Sequence, residues 1–226
     1  PDGSKILFYS QRGTDGWQLY TIDVKTQVVK TMTSDTEFIR YASFSPDGKS
    51  IAYDRCGAIA TWWRPLYKGS ANYDIFTKNL ETGKLTRVTD YEGQDLWPMY
   101  SGDGSKVFYS SDRLTPGVPN IIVSPAGGGK PSLVTKHSSE GVRWPSISRD
   151  GSTIVYVLNG DLYTVKSTGG ASTKVSILAY TDDKINNLSR LNLTNGATEI
   201  EISPDGKTLA FVNRGEIWTI PVAGGN

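Results

Sequence analysis

The amino-acid sequence predicts an all-β fold, and within that class a β-propeller of about five four-stranded blades. The main observation is a short turn motif that recurs five times, with strand-like segments on both sides of each copy. Its aspartates, at positions 2, 47, 103, 150 and 205, lie 45, 56, 47 and 55 residues apart. Four-stranded propeller blades repeat at roughly 40–50 residues. The 24 glycines and 11 prolines also indicate many turns and few long helices.

Each copy of the motif has the residues of a tight β-hairpin turn. In Ser45-Pro46-Asp47-Gly48, proline presets the φ angle of a type I turn and glycine takes the left-handed position that follows. The serine and aspartate side chains can bond nearby backbone donors. We therefore predict a structural role for the Asp-Gly pair of every turn: Asp2 and Gly3, Asp47 and Gly48, Asp103 and Gly104, Asp150 and Gly151, and Asp205 and Gly206.

The segments around the turns define a repeat of four strands. A first strand precedes the turn (RYASFS, LWPMYS), a second follows it (KSIAYDR, SKVFYSS), a third comes next (YDIFTKN), and a fourth is more polar (LTRVTD). The second strand is almost continuously apolar, which is typical of a strand covered on both faces. No repeat could bury both faces alone, so we expect the repeats to stack around an axis.

The first and last repeats are incomplete, because the first lacks its first strand and the fifth lacks its fourth. Propellers usually have roughly 4–8 blades, so we expect these five units to be an arc of a larger ring. Unpaired blade edges could permit self-association. We expect residues 1–195 to form propeller blades and residues 196–226 to form a further blade. Residues 177–196 depart from the simple blade pattern, so the further blade could begin a second propeller.

The repeat resembles a known propeller family. The pattern SPDGK-[ST]-[IL]-A-[YF], followed by G-[DE]-[LI]-[YW]-T, is similar to the PD40, or TolB-like, repeat. Three segments look closer to the amino-terminal propeller of tricorn-like serine peptidases: SSDR at 110–113, WWRPLYKGSANYDIF at 62–76, and residues 196–225. The resemblance spans the whole chain. It implies a non-catalytic propeller that channels or filters peptides toward a downstream serine protease domain, often beside a PDZ domain.

Composition and motifs argue against several other classes of function. A net charge of +1 gives no general attraction to nucleic acids or anionic membranes, and no apolar run is long enough to span a bilayer. The chain has no G-x-S-x-G elbow and a single histidine, His137, which we expect in a solvated loop. Cys56, the single cysteine, is expected to be buried. We therefore predict no catalytic residues, no metal site and no cofactor.

The residues between the second and third strands of the second repeat depart most from the blade pattern. Residues 56–71 contain Trp62, Trp63, Arg64 and Tyr67, whereas the last two repeats connect the same strands by a tight turn. Long loops on rigid scaffolds commonly carry function, and these residue types are favoured at interaction hot spots. We treat the four residues as candidates for peptide or ligand binding. The loop could equally cap its own propeller or pack on a neighbouring domain.

Three charged residues near the ends of second strands are further candidates. Arg55 and the pair Asp112 and Arg113 occupy similar places in their repeats, as does Arg12 in the first. They could bind peptide carboxylates or backbone carbonyls. The interpretation that we favour is a set of ion pairs between blades that fix the geometry of the ring.

The sequence thus predicts a non-catalytic propeller segment of a tricorn-like serine peptidase, which binds or gates peptide or protein substrates. Its expected partners are a peptide or protein and a downstream protease domain of the same chain. Two alternatives remain: a stand-alone TolB-like scaffold that docks a protein, and a propeller that binds carbohydrate through Trp62 and Trp63. A periplasmic or secreted location is favoured over a cytoplasmic one.

Overall fold

The computed structural model describes residues 1–13, 16–56, 66–178 and 195–224. Trp62, Trp63 and Arg64 therefore lie outside the described residues. The chain divides into two compact units, Pro1–Ile177 and Leu178–Asn226, and each is described by itself. The boundary that we predict between residues 195 and 196 stays a prediction. No helix in the described ranges is long or apolar enough to cross a membrane.

The first unit contains four antiparallel sheets, each of which is a meander of consecutive strands. The first sheet has three strands and the other three sheets have four, in the order in which the chain runs. Their bounds are β1 Lys5–Ser10, β2 Gln18–Asp23, β3 Val29–Thr31; β4 Phe38–Phe44, β5 Ser50–Cys56, β6 Asp74–Asn79, β7 Leu85–Arg87; β8 Asp95–Tyr100, β9 Lys106–Ser111, β10 Asn120–Pro125, β11 Ser132–Leu133; β12 Arg143–Ile147, β13 Thr153–Leu158, β14 Asp161–Lys166, β15 Thr173–Lys174.

The second unit contains one antiparallel sheet of three described strands, β16 Thr198–Ile202, β17 Thr208–Asn213 and β18 Glu216–Pro221. Its strands follow the same order as the first three strands of a four-stranded sheet. The five sheets, the absence of helices from the described residues and the repeated meander confirm the prediction of an all-β propeller.

The core of the first unit lies between the sheets. The second strand of each four-stranded sheet supplies a buried aromatic residue, namely Tyr53, Tyr109 and Tyr156, each at most 1% exposed. Around Tyr156, residues of the third and fourth sheets form one cluster, which includes Phe108 and Ile121. Burial of apolar surface contributes roughly 25 cal/mol per Å², so the contacts between neighbouring sheets stabilise each meander. This arrangement explains why the second strands are almost continuously apolar.

The turns after β4, β8, β12 and β16 share one hydrogen-bonding pattern. In the turn after β4, the Oδ1 atom of Asp47 accepts from the Ser45 hydroxyl at 2.6 Å and from the Lys49 N–H at 2.9 Å. Gly48 has a φ of +69°, which is costly for any residue with a Cβ. The Asp103 turn makes the equivalent bonds, and they lower the pKa of Asp103 to about 2. The ionised aspartate therefore holds the turn closed.

The turn after β8 has glycine where the turn after β4 has proline, and a close contact explains the difference. A Cβ atom on Gly102 would lie 2.7 Å from the carbonyl oxygen of Asp150, in the turn of the fourth sheet. That oxygen belongs to the backbone and cannot move aside by changing a rotamer. The third and fourth sheets therefore meet at their turns as closely as glycine permits.

We expect Gly102→Ala to lower the free energy of unfolding by about 1–3 kcal/mol, since the two turns must separate to admit the methyl group. Urea denaturation followed by circular dichroism measures the change. Arg149→Ala is the matched control, because Arg149 occupies the same turn position in the fourth sheet and is exposed. Equal stabilities of the Gly102→Ala variant and the wild type would show that the contact between the turns is not needed.

Candidate functional site

The first strands β4, β8 and β12 each lie at one end of their sheet, so one edge of each strand has no neighbour in that sheet. Each strand also contains a β-bulge at the same place, seen as a register shift between residues 40 and 43, 96 and 99, or 143 and 146. Tyr41, Trp97 and Trp144 occupy the bulges with positive φ angles of 39°, 58° and 47°. Positive φ is uncommon for bulky residues, and bulges often redirect a side chain.

The three bulge residues and Tyr9 form a row of ring contacts that crosses all four sheets of the first unit. We call these four residues the aromatic row. The ring centroids are 5.6 Å apart for Tyr9 and Tyr41, 5.9 Å for Tyr41 and Trp97, and 6.2 Å for Trp97 and Trp144. Trp97 is 5% exposed, whereas Tyr9 and Trp144, at the ends of the row, are 37% and 50% exposed. The row therefore joins the sheets in its middle and offers aromatic surface at its ends.

A cavity of about 520 Å³ lies against the aromatic row, and we call it the inner cavity. Strands β4, β8 and β12 line it with three of the aromatic rings, with prolines, and with serines such as Ser43 and Ser146. Arg149, from the turn after β12, adds a positive charge to the lining. Its volume lies within the 300–1,000 Å³ range of typical ligand sites. The inner cavity can therefore hold a ligand with both apolar and polar groups.

A buried carboxylate supports the middle of the aromatic row. Asp54, on β5, is fully buried, and its Oδ2 atom accepts a hydrogen bond from the backbone N–H of Trp97 at 3.3 Å. Burial raises the pKa of Asp54 well above 3.8, while that hydrogen bond and the Arg40 guanidinium act in the opposite direction. Because Asp54 belongs to the second sheet and Trp97 to the third, the bond fixes the bulge of one sheet against its neighbour.

Arg55 lies outside the inner cavity and is paired with acidic residues of the preceding connection. Its Nε atom lies 2.6 Å from Glu37 Oε2, and its Nη2 atom lies 3.6 Å from Asp35 Oδ1. The guanidinium also lies over the ring of Phe76, 5.1 Å from its centroid. Asp35 and Glu37 lie in the connection between the first and second sheets, directly before β4. A role in binding ligand stays a prediction.

Asp112 and Arg113 follow β9 and also contact other parts of the protein. The Oδ2 atom of Asp112 accepts from the Gly117 N–H at 3.2 Å, within the loop that leads to β10. Arg113 lies 3.3 Å from Asp90 and 5.1 Å from the ring centroid of Tyr91, both in the connection between the second and third sheets. Tyr67 is half-buried beside Gly69. Ligand binding by these three residues is likewise a prediction.

One residue of the predicted set, Arg55, borders a second cavity, of about 450 Å³. Arg55 lines it, as do Asp90 and Tyr91, the two residues that Arg113 contacts. The lining is rich in paired charges, including the ion pair of Arg87 with Asp74 at 2.5 Å. Because most of its lining side chains are charged or polar, this cavity is less suited to an apolar ligand than the inner cavity.

His137 differs from our expectation of a solvated loop residue. It is half-buried, and its Nε2 atom lies 2.9 Å from the hydroxyl of Tyr156. The imidazole also packs against the rings of Tyr156 and Tyr163. Burial lowers the pKa of His137 below 6.5. The connection after β11 therefore folds back onto the fourth sheet, which its polar sequence does not indicate.

Sequence reasoning missed the aromatic row, although a signal was present. Tyr41, Trp97 and Trp144 each stand four residues before the serine of their turn, in YASFS, WPMYS and WPSIS. The fifth repeat has Glu199 at that position, also with a positive φ, so the aromatic character is not needed to form the bulge. Within the described ranges, no group of three His, Cys, Asp or Glu side chains is placed to hold a metal ion.

Comparison with known proteins places the chain among propellers of one type. The family model described as the Tricorn protease N-terminal beta propeller domain matches residues 1–171. The Tol-Pal system protein TolB of Francisella tularensis subsp. mediasiatica is 29% identical over 216 residues, which are 94% of this chain and 43% of that protein. The chain thus spans less than half the length of the curated relatives that it matches.

Solved structures show the same fold at lower identity. A putative TolB from Agrobacterium tumefaciens has a TM-score of 0.62 and 23% identity, and the match covers 77% of this chain and 61% of that one. A chain of a nidogen/laminin complex has a TM-score of 0.57 and 13% identity, with 97% and 75% covered. Because the family model matches well over half of the sequence, the chain belongs to the family of Tricorn protease N-terminal beta propeller domains.

Proposed function

We propose that the chain is a non-catalytic binding module and that the inner cavity holds a segment of a peptide or protein. The observation that carries this proposal is the cavity itself, about 520 Å³ in volume and formed by the first strands of three sheets. Trp144 lines it and is 50% exposed. Tryptophan is among the residues most enriched at binding hot spots.

The lining of the inner cavity suits a polypeptide better than a nucleic acid. Aromatic and proline side chains can cover apolar side chains of a ligand, while serine hydroxyls and strand backbone can bond its amide groups. Arg149 is the single cation among the described lining residues, which is too little charge to hold a phosphate backbone. A segment of mixed polarity and low charge therefore fits best.

The role of such binding within a whole protein is a second level of the proposal. The family match supports a propeller that gates substrates for a serine peptidase, which a downstream protease domain of the same chain would supply. The TolB relatives support a scaffold that docks a protein partner equally well. A gene that encodes a protease domain after residue 226 would favour the first role. A stoichiometric partner and no such domain would favour the second. A periplasmic or secreted location stays a prediction.

Trp144→Ala tests the inner cavity. We expect it to weaken binding at least tenfold, because the exposed indole would contact the ligand directly. The probe is an array of overlapping 15-residue peptides from reduced, carboxymethylated α-lactalbumin, and the tightest binder is then titrated by fluorescence anisotropy. Trp218→Ala is the matched control, since Trp218 on β18 is 47% exposed and does not line the cavity.

Peptide binding that Trp144→Ala leaves unchanged would contradict a site in the inner cavity. An array on which no peptide binds would contradict the proposed function itself. A glycan array is probed in parallel, and binding to glycans alone would support the carbohydrate alternative.

A further inference from the structure

The inner cavity is bordered by backbone as well as by side chains. Alternate residues of an edge strand turn their N–H and C=O groups toward and away from the neighbouring strand. In β4, the Ser45 N–H donates to the Ser50 carbonyl, and Ser43 pairs with Ala52 of β5. The backbone N–H and C=O groups of Ser43 and Ser45 therefore point toward β5. By the same alternation, the backbone groups of Ala42 and Phe44 point away from β5, toward the inner cavity that both residues line.

Strand β8 differs from β4 at the first of these two positions. The Ser101 N–H donates to the Lys106 carbonyl, and Met99 pairs with Phe108, so the equivalents of Ala42 and Phe44 are Pro98 and Tyr100. Proline has no N–H group and is found on sheet edges where no donor is required. Pro98 thus removes one of the donors that β8 would otherwise present to the cavity.

Strand β12 also has a proline, which lacks an N–H group, at this position. Trp144 occupies its bulge and Pro145 follows, as Pro98 follows Trp97. Of the three strands that line the inner cavity, β8 and β12 therefore have proline directly after the bulge, which removes a backbone donor there. Strand β4 has Ala42 at this position and keeps the donor. Proline on an edge strand is a common protection against unwanted strand pairing. The contrast makes the edge of β4 the one of these three that keeps both backbone donors.

We propose that β4 binds an extended polypeptide segment by strand addition at its cavity edge, through the backbone groups of Ala42 and Phe44. This inference rests on the proposed function and gives it a mode of recognition. The ligand is a segment without proline at the paired positions, because each of those must supply an N–H group. Main-chain bonds would supply affinity that depends little on ligand sequence, and the aromatic row would select alternate side chains.

Ala42→Pro tests the proposal, because it gives β4 the residue that β8 and β12 already carry. The residues that precede Pro98 and Pro145 have positive φ angles, as Tyr41 does, so the backbone can accept proline at position 42. We expect the variant to fold and to bind the titrated α-lactalbumin peptide at least tenfold more weakly. Ile200→Pro is the matched control: it places proline at the same position of β16, after Glu199 with its positive φ, and Ile200 does not line the inner cavity, so we expect the affinity of the wild type.

A second measurement changes the ligand and leaves the protein intact. N-methylation of alternate backbone amides of the peptide removes donors on one edge without altering its side chains. We expect one of the two alternating N-methylated sets to weaken binding at least tenfold and the other to have little effect. If Ala42→Pro and both N-methylated peptides bind as the parents do, strand addition is wrong while peptide binding stands. If no peptide binds the wild type, both proposals are wrong.

Discussion

Replacing Trp97 with alanine is expected to lower the free energy of unfolding by about 3–5 kcal/mol, the usual cost of removing a large buried aromatic side chain. Trp97 is 5% exposed and lies in the middle of the aromatic row, between Tyr41 and Trp144. It also belongs to a core cluster with Cys56, the last residue of β5, and Tyr73, which directly precedes β6. Alanine would leave a cavity between two sheets and remove both ring contacts. Urea denaturation followed by circular dichroism measures the loss.

Trp144→Ala is the control for this experiment as well. Trp144 occupies the same bulge position in the next sheet and has a similar positive φ, but it is 50% exposed. We expect its replacement to cost about 1 kcal/mol, since less apolar surface is lost. The comparison therefore separates burial from backbone strain, which both variants share. Equal losses in the two variants would contradict a structural role that is specific to Trp97.

The second large effect concerns the dependence of stability on pH. Asp95, the first residue of β8, is fully buried, and burial raises its pKa to about 7. The Ser111 hydroxyl and the Arg113 guanidinium offset part of this effect, while the nearby Asp74 adds to it. The folded protein thus binds this proton more tightly than the unfolded chain does. The free energy of unfolding should therefore rise as the pH falls from about 7 toward the unfolded value near 4.

One pKa unit corresponds to about 1.4 kcal/mol, so Asp95 should contribute about 2–3 kcal/mol between pH 7 and pH 5. Asp95→Asn replaces the carboxylate by a neutral group of similar shape. We expect this variant to be more stable than the wild type at pH 8 and to lose that advantage at pH 5. Urea denaturation of both proteins at pH 5, 6, 7 and 8 measures the difference. Parallel curves would contradict the raised pKa.

The comparison of the two proteins also removes the contributions of other titrating groups. Burial lowers the pKa of His137, so protonation of His137 destabilises the fold as the pH falls below 6.5, opposite in sign to Asp95. Asp54, with its raised pKa, acts in the same direction as Asp95. The turn aspartates Asp103 and Asp150 have pKa values of about 2, so their contribution is lost only in stronger acid. His137 and Asp54 are present in both the wild type and Asp95→Asn, so their contributions cancel when the two stabilities are subtracted.

The repeat was predictable because its signals are local. Turn residues such as Asp47 and Gly48 determine their own hairpin, since the carboxylate bonds donors two residues away and the glycine adopts a positive φ. Alternation and apolar runs then mark the strands on either side. The same signals placed the buried second strands and the incomplete first sheet. The connection with His137 was misjudged, because its burial depends on rings of the fourth sheet that lie outside the local segment.

The candidate site was much less predictable, because its residues come from different sheets. The sequence alone determined the hairpins, their order and the buried strands, because each depends on residues that are close along the chain. Only the tertiary structure decided that Tyr41, Trp97 and Trp144 contact one another, and that Asp54 bonds the backbone of Trp97. The physical reason is the bulge, which interrupts the alternation of side chains and turns each ring toward the neighbouring sheet.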